Sequence, residues 1–418
     1  MKKGEILLVA VLVVFGLVYH AVEKGKARLA DDFSFYAQER NLKGVRFVEF
    51  PEPEKTFPSV ARLRIENPAG EIVVERSDDE RVHLSSSLRI YYTDVKDVDG
   101  IRKRLTIRSR PGDRELSVSV QSQSSFPYHW ARVHMRLRVP PQTELFVSNR
   151  EGNTAIKNTG KKVQVVQAGG HLMLWNIASD LELRLENCNA DIKGVGGHAE
   201  IHASRSNVML QDALSLLFKG RHGLCSVKGI RQGVVIDHSY GKVELENIDK
   251  VELIANQGTI IARNISSGMK VSNRLGSTLL ENVRGDTRVS SRLGKVIAHH
   301  AGGGNFVIEN AFGDIEVSDF FGENLDLLLK SGNLDLRVGE ATNRVNVESR
   351  YSQVHLAVDA SADPAVNIKT RHGRIYGGAF QGLEEFQSGA ESFANRDGHK
   401  PTILVNNTYG SVHLKSVP

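Results

Sequence analysis

His238-Ser-Tyr-Gly-Lys-Val-Glu-Leu-Glu-Asn-Ile248, Asn273-Arg-Leu-Gly-Ser-Thr-Leu-Leu-Glu-Asn-Val283 and Asn310-Ala-Phe-Gly-Asp-Ile-Glu-Val-Ser-Asp-Phe320 follow one pattern. With the glycine as zero, inward apolar residues stand at +2 and +4, as in Val243 and Leu245 or Ile315 and Val317. A period of two is that of a strand with one buried face. At +6 comes a residue that tolerates left-handed backbone: Asn158, Asn176, Asp212, Asn247, Asn264, Asn282 and Asp319. An apolar residue returns at +7. A second strand then precedes the next turn, with inward pairs such as Val234 and Ile236, Phe306 and Ile308, and Ile403 and Val405.

Working outward, the zero position falls at Gly152, Gly170, Asn189, Ser206, Gly223, Gly241, Gly258, Gly276, Gly294, Gly313, Gly332, Ser352, Gly373 and Gly410. The step is about 18 residues, the signature of a solenoid, except for one step about twice as long before Gly410. Neither strand can bury its apolar face alone, so the rungs must stack. The fold class expected is all-β: a parallel β-solenoid (β-helix) of about 14 rungs, forming a rod of about 65 Å. The long step reads as one rung interrupted by an insertion at 377–400, whose Leu383, Phe386 and Phe393 suit packing against the rod. Residues 149–418 are the solenoid. Residues 58–148 are a more irregular β-rich cap, with an early rung at Asn67–Glu75 and strands at Leu116–Gln121 and Val133–Val139.

The N-terminus differs. Ile6–Val22 is the only stretch with membrane character, flanked by Lys2, Lys3, Lys24, Lys26 and Arg28. Poor cleavage-site residues favour an uncleaved signal-anchor helix over residues 1–30 rather than a removed signal. Residues 31–57, with Pro51 and Pro53, read as a stalk or linker. This arrangement implies a single-pass inner-membrane protein with the solenoid extracytoplasmic, in the periplasm or at the cell surface.

The chain has 418 residues, 25% charged, with a net charge of +5 and a pI near 9.0, which permits anionic partners without requiring them. Glycine is abundant (38) and proline scarce (11), as many tight turns demand. Two cysteines, Cys188 and Cys225, stand two rungs apart, too far for a disulfide.

Arg138-Val-Pro-Pro-Gln-Thr-Glu-Leu-Phe-Val-Ser148 ends one strand on Val-Pro and restarts on alternating apolar residues, and glycine-punctuated rungs begin at Asn149-Arg-Glu-Gly-Asn. In these features residues 60–418 resemble the bacterial "putative adhesin" family. That resemblance implies an envelope β-solenoid of largely unassigned function and carries over no catalytic residues.

No GxxxxGK[ST], GxSxG or HExxH motif occurs. His299-His300 is the only adjacent histidine pair and lacks a third ligand at workable spacing. The outward acids Glu244, Asp314, Glu316 and Asp335 are scattered among Lys and Arg rather than converging. No catalytic, cofactor or metal residues are assigned. The one feature that stands out is position −2, just before the turn: Arg150, Arg221, Arg274, Arg292, Lys330, Arg350 and Arg371. In a stacked rod they share an edge, with Arg274/Arg292 and Arg350/Arg371 each about 5 Å apart. Like charges so close suit a polyanion such as an acidic polysaccharide or another envelope polymer, without specific nucleic-acid readout. The expected role is adhesion, interaction or scaffolding, with the membrane, an anionic polymer, a protein or a second rod as partner. The alternatives are a polysaccharide lyase or hydrolase on a β-helix, and a scaffold that polymerises through open ends.

Overall fold

The apolar/polar alternation becomes two ladders of parallel strands set back to back. A computed structural model of the chain describes residues 46–92, 96–123, 130–338, 342–359, 364–377, 390–395 and 401–417. The expected anchor, the stalk up to residue 45 and most of the 377–400 segment lie outside the described residues. Among the described residues no helix is long and apolar enough to cross a membrane.

In one ladder the partners are Val243, Ile260, Thr278, Val296, Ile315, Leu334 and Val354. In the other they are Val234, Val251, Met269, Thr287, Phe306, Leu325 and Val345. The register shift between neighbours is thus the sequence repeat itself. Both inward faces feed one continuous core, in which Val243, Leu253, Ile308, Leu327 and Val347 are almost fully buried. All seven +6 residues, Asn158, Asn176, Asp212, Asn247, Asn264, Asn282 and Asp319, have φ between 53° and 60°, the left-handed corner expected of them. Amides stack there as well: Asn264 donates to Asn247 and Asn282 to Asn264, each at 2.8 Å.

The zero-position glycines form a second corner column. A Cβ on Gly276 would lie 2.0 Å from the carbonyl oxygen of Gly258, and one on Gly294 2.1 Å from that of Gly276. Only a residue without a side chain lets successive corners close to strand-pairing distance here.

About 12 turns follow one another in sequence order, from Glu144–Glu151 to Ser352–Asp359, rather than the 14 expected. The rungs led by Gly373 and Gly410 exist but are stacked out of order. Thr402–Asn407 pairs with Arg344–Ser349 on one side and Ala365–Arg371 on the other. Val412–Val417 likewise lies between Ser352–Asp359 and Ile375–Tyr376. The chain therefore lays down an outer rung at 365–376 and then returns to fill the place beneath it. This corrects the reading of one interrupted rung: the long step joins two complete rungs. From the intervening segment, Ala390–Asn395 adds an antiparallel strand on Ala365–Arg371, closing that ladder.

The N-terminal end has the same inversion. Arg62–Ala69 and Ile72–Arg76 form the early rung, and Glu144–Glu151 stacks on its inner side. Glu115–Ser122 and Ala131–Val139, later in sequence, stack on its outer side. Antiparallel strands Val82–Tyr92 and Leu105–Pro111, joined through the helix Lys96–Arg104, complete the cap. Residues 46–57, expected in the stalk, are instead a strand, Arg46–Phe57, paired antiparallel with Val82–Tyr92. Pro51 and Pro53 cannot donate to a further strand, so they suit this outermost position.

Candidate functional site at the basic corner

The basic edge is best built from the residue behind it. At position −3 the chain buries polar side chains: Asn149, Gln167, His238, Asn273, Asn310 and Asn407 are each at most 4% exposed. Each hydrogen-bonds the corner carbonyl of the adjacent rung. Asn149 donates to Gly70 O (3.1 Å), His238 Nε2 to Gly223 O (3.2 Å), Asn310 to Gly294 O (2.8 Å) and Asn407 to Ser352 O (3.1 Å). Thr370 donates to Gly410 O at 3.1 Å and Asn67 to Val133 O at 2.9 Å. Each bond points to the true spatial neighbour, including at both inverted ends. A corner carbonyl buried by close packing needs such a donor, since an unpaired one costs about 1–3 kcal/mol. Burial pushes the His238 imidazole below its ordinary pKa, so the ring is held neutral.

One residue further on, at −2, the side chain turns out to solvent. Arg150, Arg221, Arg274, Arg292, Lys330, Arg350 and Arg371 are all exposed, on one corner of the rod as expected. Strand register brings two pairs together, Arg274 with Arg292 and Lys330 with Arg350. It does not bring Arg350 to Arg371: the inserted rung puts Thr408 between them, at about twice the strand spacing, or ~10 Å. The column is also interrupted by Ala168, Glu186 and Ser204 between Arg150 and Arg221, by Ser239 and Asn256 between Arg221 and Arg274, and by Ala311 between Arg292 and Lys330. Glu186 is occupied by Arg205 at 2.6 Å.

On the sheet faces some cations have carboxylate partners, while others, such as Lys193, Lys219, Lys270 and Arg337, have none within 4.0 Å among the described residues. On the faces, Lys162 pairs with Glu182 (3.2 Å), Lys228 with Glu246 (2.9 Å) and Lys295 with Glu316 (2.7 Å), while Arg263 pairs with Glu281. Among the described residues, none of Arg221, Arg274, Arg292, Lys330, Arg350 and Arg371 has a carboxylate within 4.0 Å. Three of them lie against aromatic rings. Arg221 lies over Tyr240 at 5.4 Å, Lys330 over Phe312 at 5.2 Å and Arg350 over Tyr351 at 5.5 Å. Position −1, which the sequence reading passed over, supplies these rings, and with Leu293 and Tyr409 it leaves five large apolar side chains 38–55% exposed along the corner. At the C-terminal end, Tyr351, Tyr409 and His372 stack in that order, with centroids 4.8 and 4.9 Å apart.

No cluster of three potential metal ligands occurs among the described residues. His299 hydrogen-bonds Ser318, and His300 packs on Phe321. Cys188 and Cys225 are buried free thiols, and burial holds both thiol pKa values above the ordinary one.

A family model, Toastrack DUF4097, matches residues 60–415, so the chain belongs to the Toastrack family. The likeness to "putative adhesins" is borne out with it. No curated protein matches the sequence. Among solved structures, a putative cell adhesion protein from Clostridium sporogenes is 9% identical over 88% of this chain and 100% of its own, with a TM-score of 0.14. A putative adhesin from Bacteroides fragilis is 11% identical over 89% and 97%, with a TM-score of 0.19. One from Parabacteroides merdae is 11% identical over 75% and 97%, with a TM-score of 0.21.

Proposed function

We propose that this Toastrack-family solenoid is a non-catalytic envelope protein that binds anionic polymers along its basic corner. The observation that carries the reading is the recurrence of cations without carboxylate partners at one corner of successive rungs. Among the described residues six cations of this one corner have no carboxylate within 4.0 Å, and strand register sets two pairs of them side by side, Arg274 with Arg292 and Lys330 with Arg350. Neighbouring like charges cost free energy that a bound polyanion offsets. The adhesin-like family membership and the scatter of the acids support a binding role rather than an enzymatic one. The apolar segment Ile6–Val22 would tether the rod, with the solenoid outside the cytoplasm. Protease accessibility on intact cells and spheroplasts tests that placement; protection of the solenoid in both would refute it.

Binding of dextran sulfate by the full chain in detergent micelles is expected to weaken steeply as salt rises from about 50 to about 500 mM. It is expected to fall at least tenfold when Arg274, Arg292, Arg350 and Arg371 are changed together to Gln. Undiminished binding by that variant would sink the corner assignment.

A further inference from the structure

The corner borders two troughs on the same ladder face. The first, about 940 Å³, is lined by Arg184, His202, Lys219, Arg221, Asp237 and Tyr240. The second, about 530 Å³, is lined by Lys330, Arg350, Glu309, Glu348, Asn406 and Thr408. Arg221 belongs to both the corner and the first trough, and Lys330 and Arg350 to both the corner and the second. Arg274 lies between the troughs, and its neighbour Arg292 leads into the second. A row of corner positions thus runs parallel to the rod axis from Ala168 to Thr408, passing along the first trough, Asn256, Arg274 and Arg292, and then the second trough. At one strand spacing per layer it is roughly 50 Å long.

Resting on the reading above, we infer that this path is an extended binding site for a single chain of linear acidic polysaccharide, with the two troughs as subsites and Arg274/Arg292 as the bridge. The lining chooses among polyanions. Asp237 and Glu348 would repel a polymer with a phosphate at every step, yet they accept hydrogen bonds from sugar hydroxyls. Asn406 and Thr408 supply further neutral partners, while the Lys and Arg side chains fit carboxylates or sulfates spaced no closer than one to a sugar. The geometry fits too. A pyranose residue is about as long as one strand spacing, ~4.8 Å, so a sugar chain can stay in step with the rungs. Two subsites filled by one molecule raise affinity through effective concentration, and only a chain long enough to reach both gains this.

The test uses the full chain in detergent micelles and fluorescent oligogalacturonates of about four and about twelve residues, the longer matched to the ~50 Å path. The longer oligomer should bind at least about tenfold more tightly. Arg274→Gln with Arg292→Gln should bring it close to the affinity of the shorter one, which itself should change less than about twofold. Arg274→Lys with Arg292→Lys should restore most of the difference, showing that the Gln variant lost charge rather than its fold. Equal affinity for the two lengths overturns the extended site while leaving salt-sensitive polyanion binding in place. So does equal or tighter binding of inorganic polyphosphate of matched charge, which would reassign the ligand. Failure of dextran sulfate, oligogalacturonate and polyphosphate alike overturns both this inference and the function on which it rests.

Discussion

The middle of the rod and its two ends are built from the same rung, yet they obey different rules of order. From Glu144 to Val358 each rung stacks on the one before it in sequence. At both ends the chain steps outward, lays a rung, and places a neighbouring one out of sequence order. The middle is a one-dimensional array in which local contacts suffice. At the C-terminal end the last-made strands, Thr402–Asn407 and Val412–Val417, are interior strands with neighbours on both sides. That end cannot be completed until Val412–Val417 has been made, and it depends on contacts of long sequence separation. The outermost C-terminal rung is held by a segment that comes after it.

Removing residues 401–418 should break the comparison most visibly. Residues 365–376 and 390–395 should lose their amide protection in hydrogen exchange, while the rungs from 144 to 338 keep theirs. Protection retained at 365–371 would show that the outer rung can drop into the vacated place and that the inversion is not required. A smaller but still large effect is expected from the glycine column. Gly276→Ala meets both φ +128° and a backbone oxygen at 2.0 Å, and should cost at least about 2 kcal/mol and divide the middle array. Gly410→Ala meets φ +133° and the Ser352 oxygen at 2.0 Å, and should loosen only the C-terminal end in the same exchange experiment. The corner donors sharpen the contrast further. Asn407 bonds the carbonyls of Ser352 and Gly410 and accepts from Ser349, while Asn310 bonds chiefly Gly294 and leaves its own Oδ1 without a partner. Asn407→Ala should therefore destabilise more, by about 2–3 kcal/mol against about 1 kcal/mol for Asn310→Ala, measured by urea denaturation.

The smallest effect concerns pH. The His238 ring is held neutral by burial. His413 is lowered as well, by partial burial and then by the charge of His355, on which it stacks at 4.9 Å. A histidine with a lowered folded pKa leaves the unfolded chain binding more protons. Its stabilising contribution is therefore present above the ordinary value near 6.5 and is lost as pH falls from there through the folded pKa. His238→Asn installs the donor used at Asn273 and Asn310, and should leave stability at pH 8 nearly unchanged while flattening the decline below pH 6.5. An unchanged decline would place its origin elsewhere.

Much of the rod was readable from the chain. The repeat, the inward columns and the left-handed +6 corners follow from period two and from what Asn and Asp tolerate, and all seven +6 residues obey. The basic corner was equally legible, because an Arg or Lys before the turn recurs in step with the glycine. The donors at −3 could have been found, since Asn-x-x-Gly is written at Asn149, Asn273, Asn310 and Asn407. The pairing of Arg350 with Arg371 could not be judged, because it depended on which rung lies between them.

By itself, then, the sequence determined the layer: strand, corner, strand, corner, with a buried column inside and cations outside. Only the tertiary structure decided the order of layers at the two ends, the place of Arg46–Phe57 in the cap and, among the described residues, that no carboxylate comes within 4.0 Å of six corner cations. The physical reason is that every rung offers its neighbours the same row of backbone donors and acceptors, the same apolar columns and the same bare corner. A periodic pattern therefore specifies how a rung stacks, but not which rung it stacks upon.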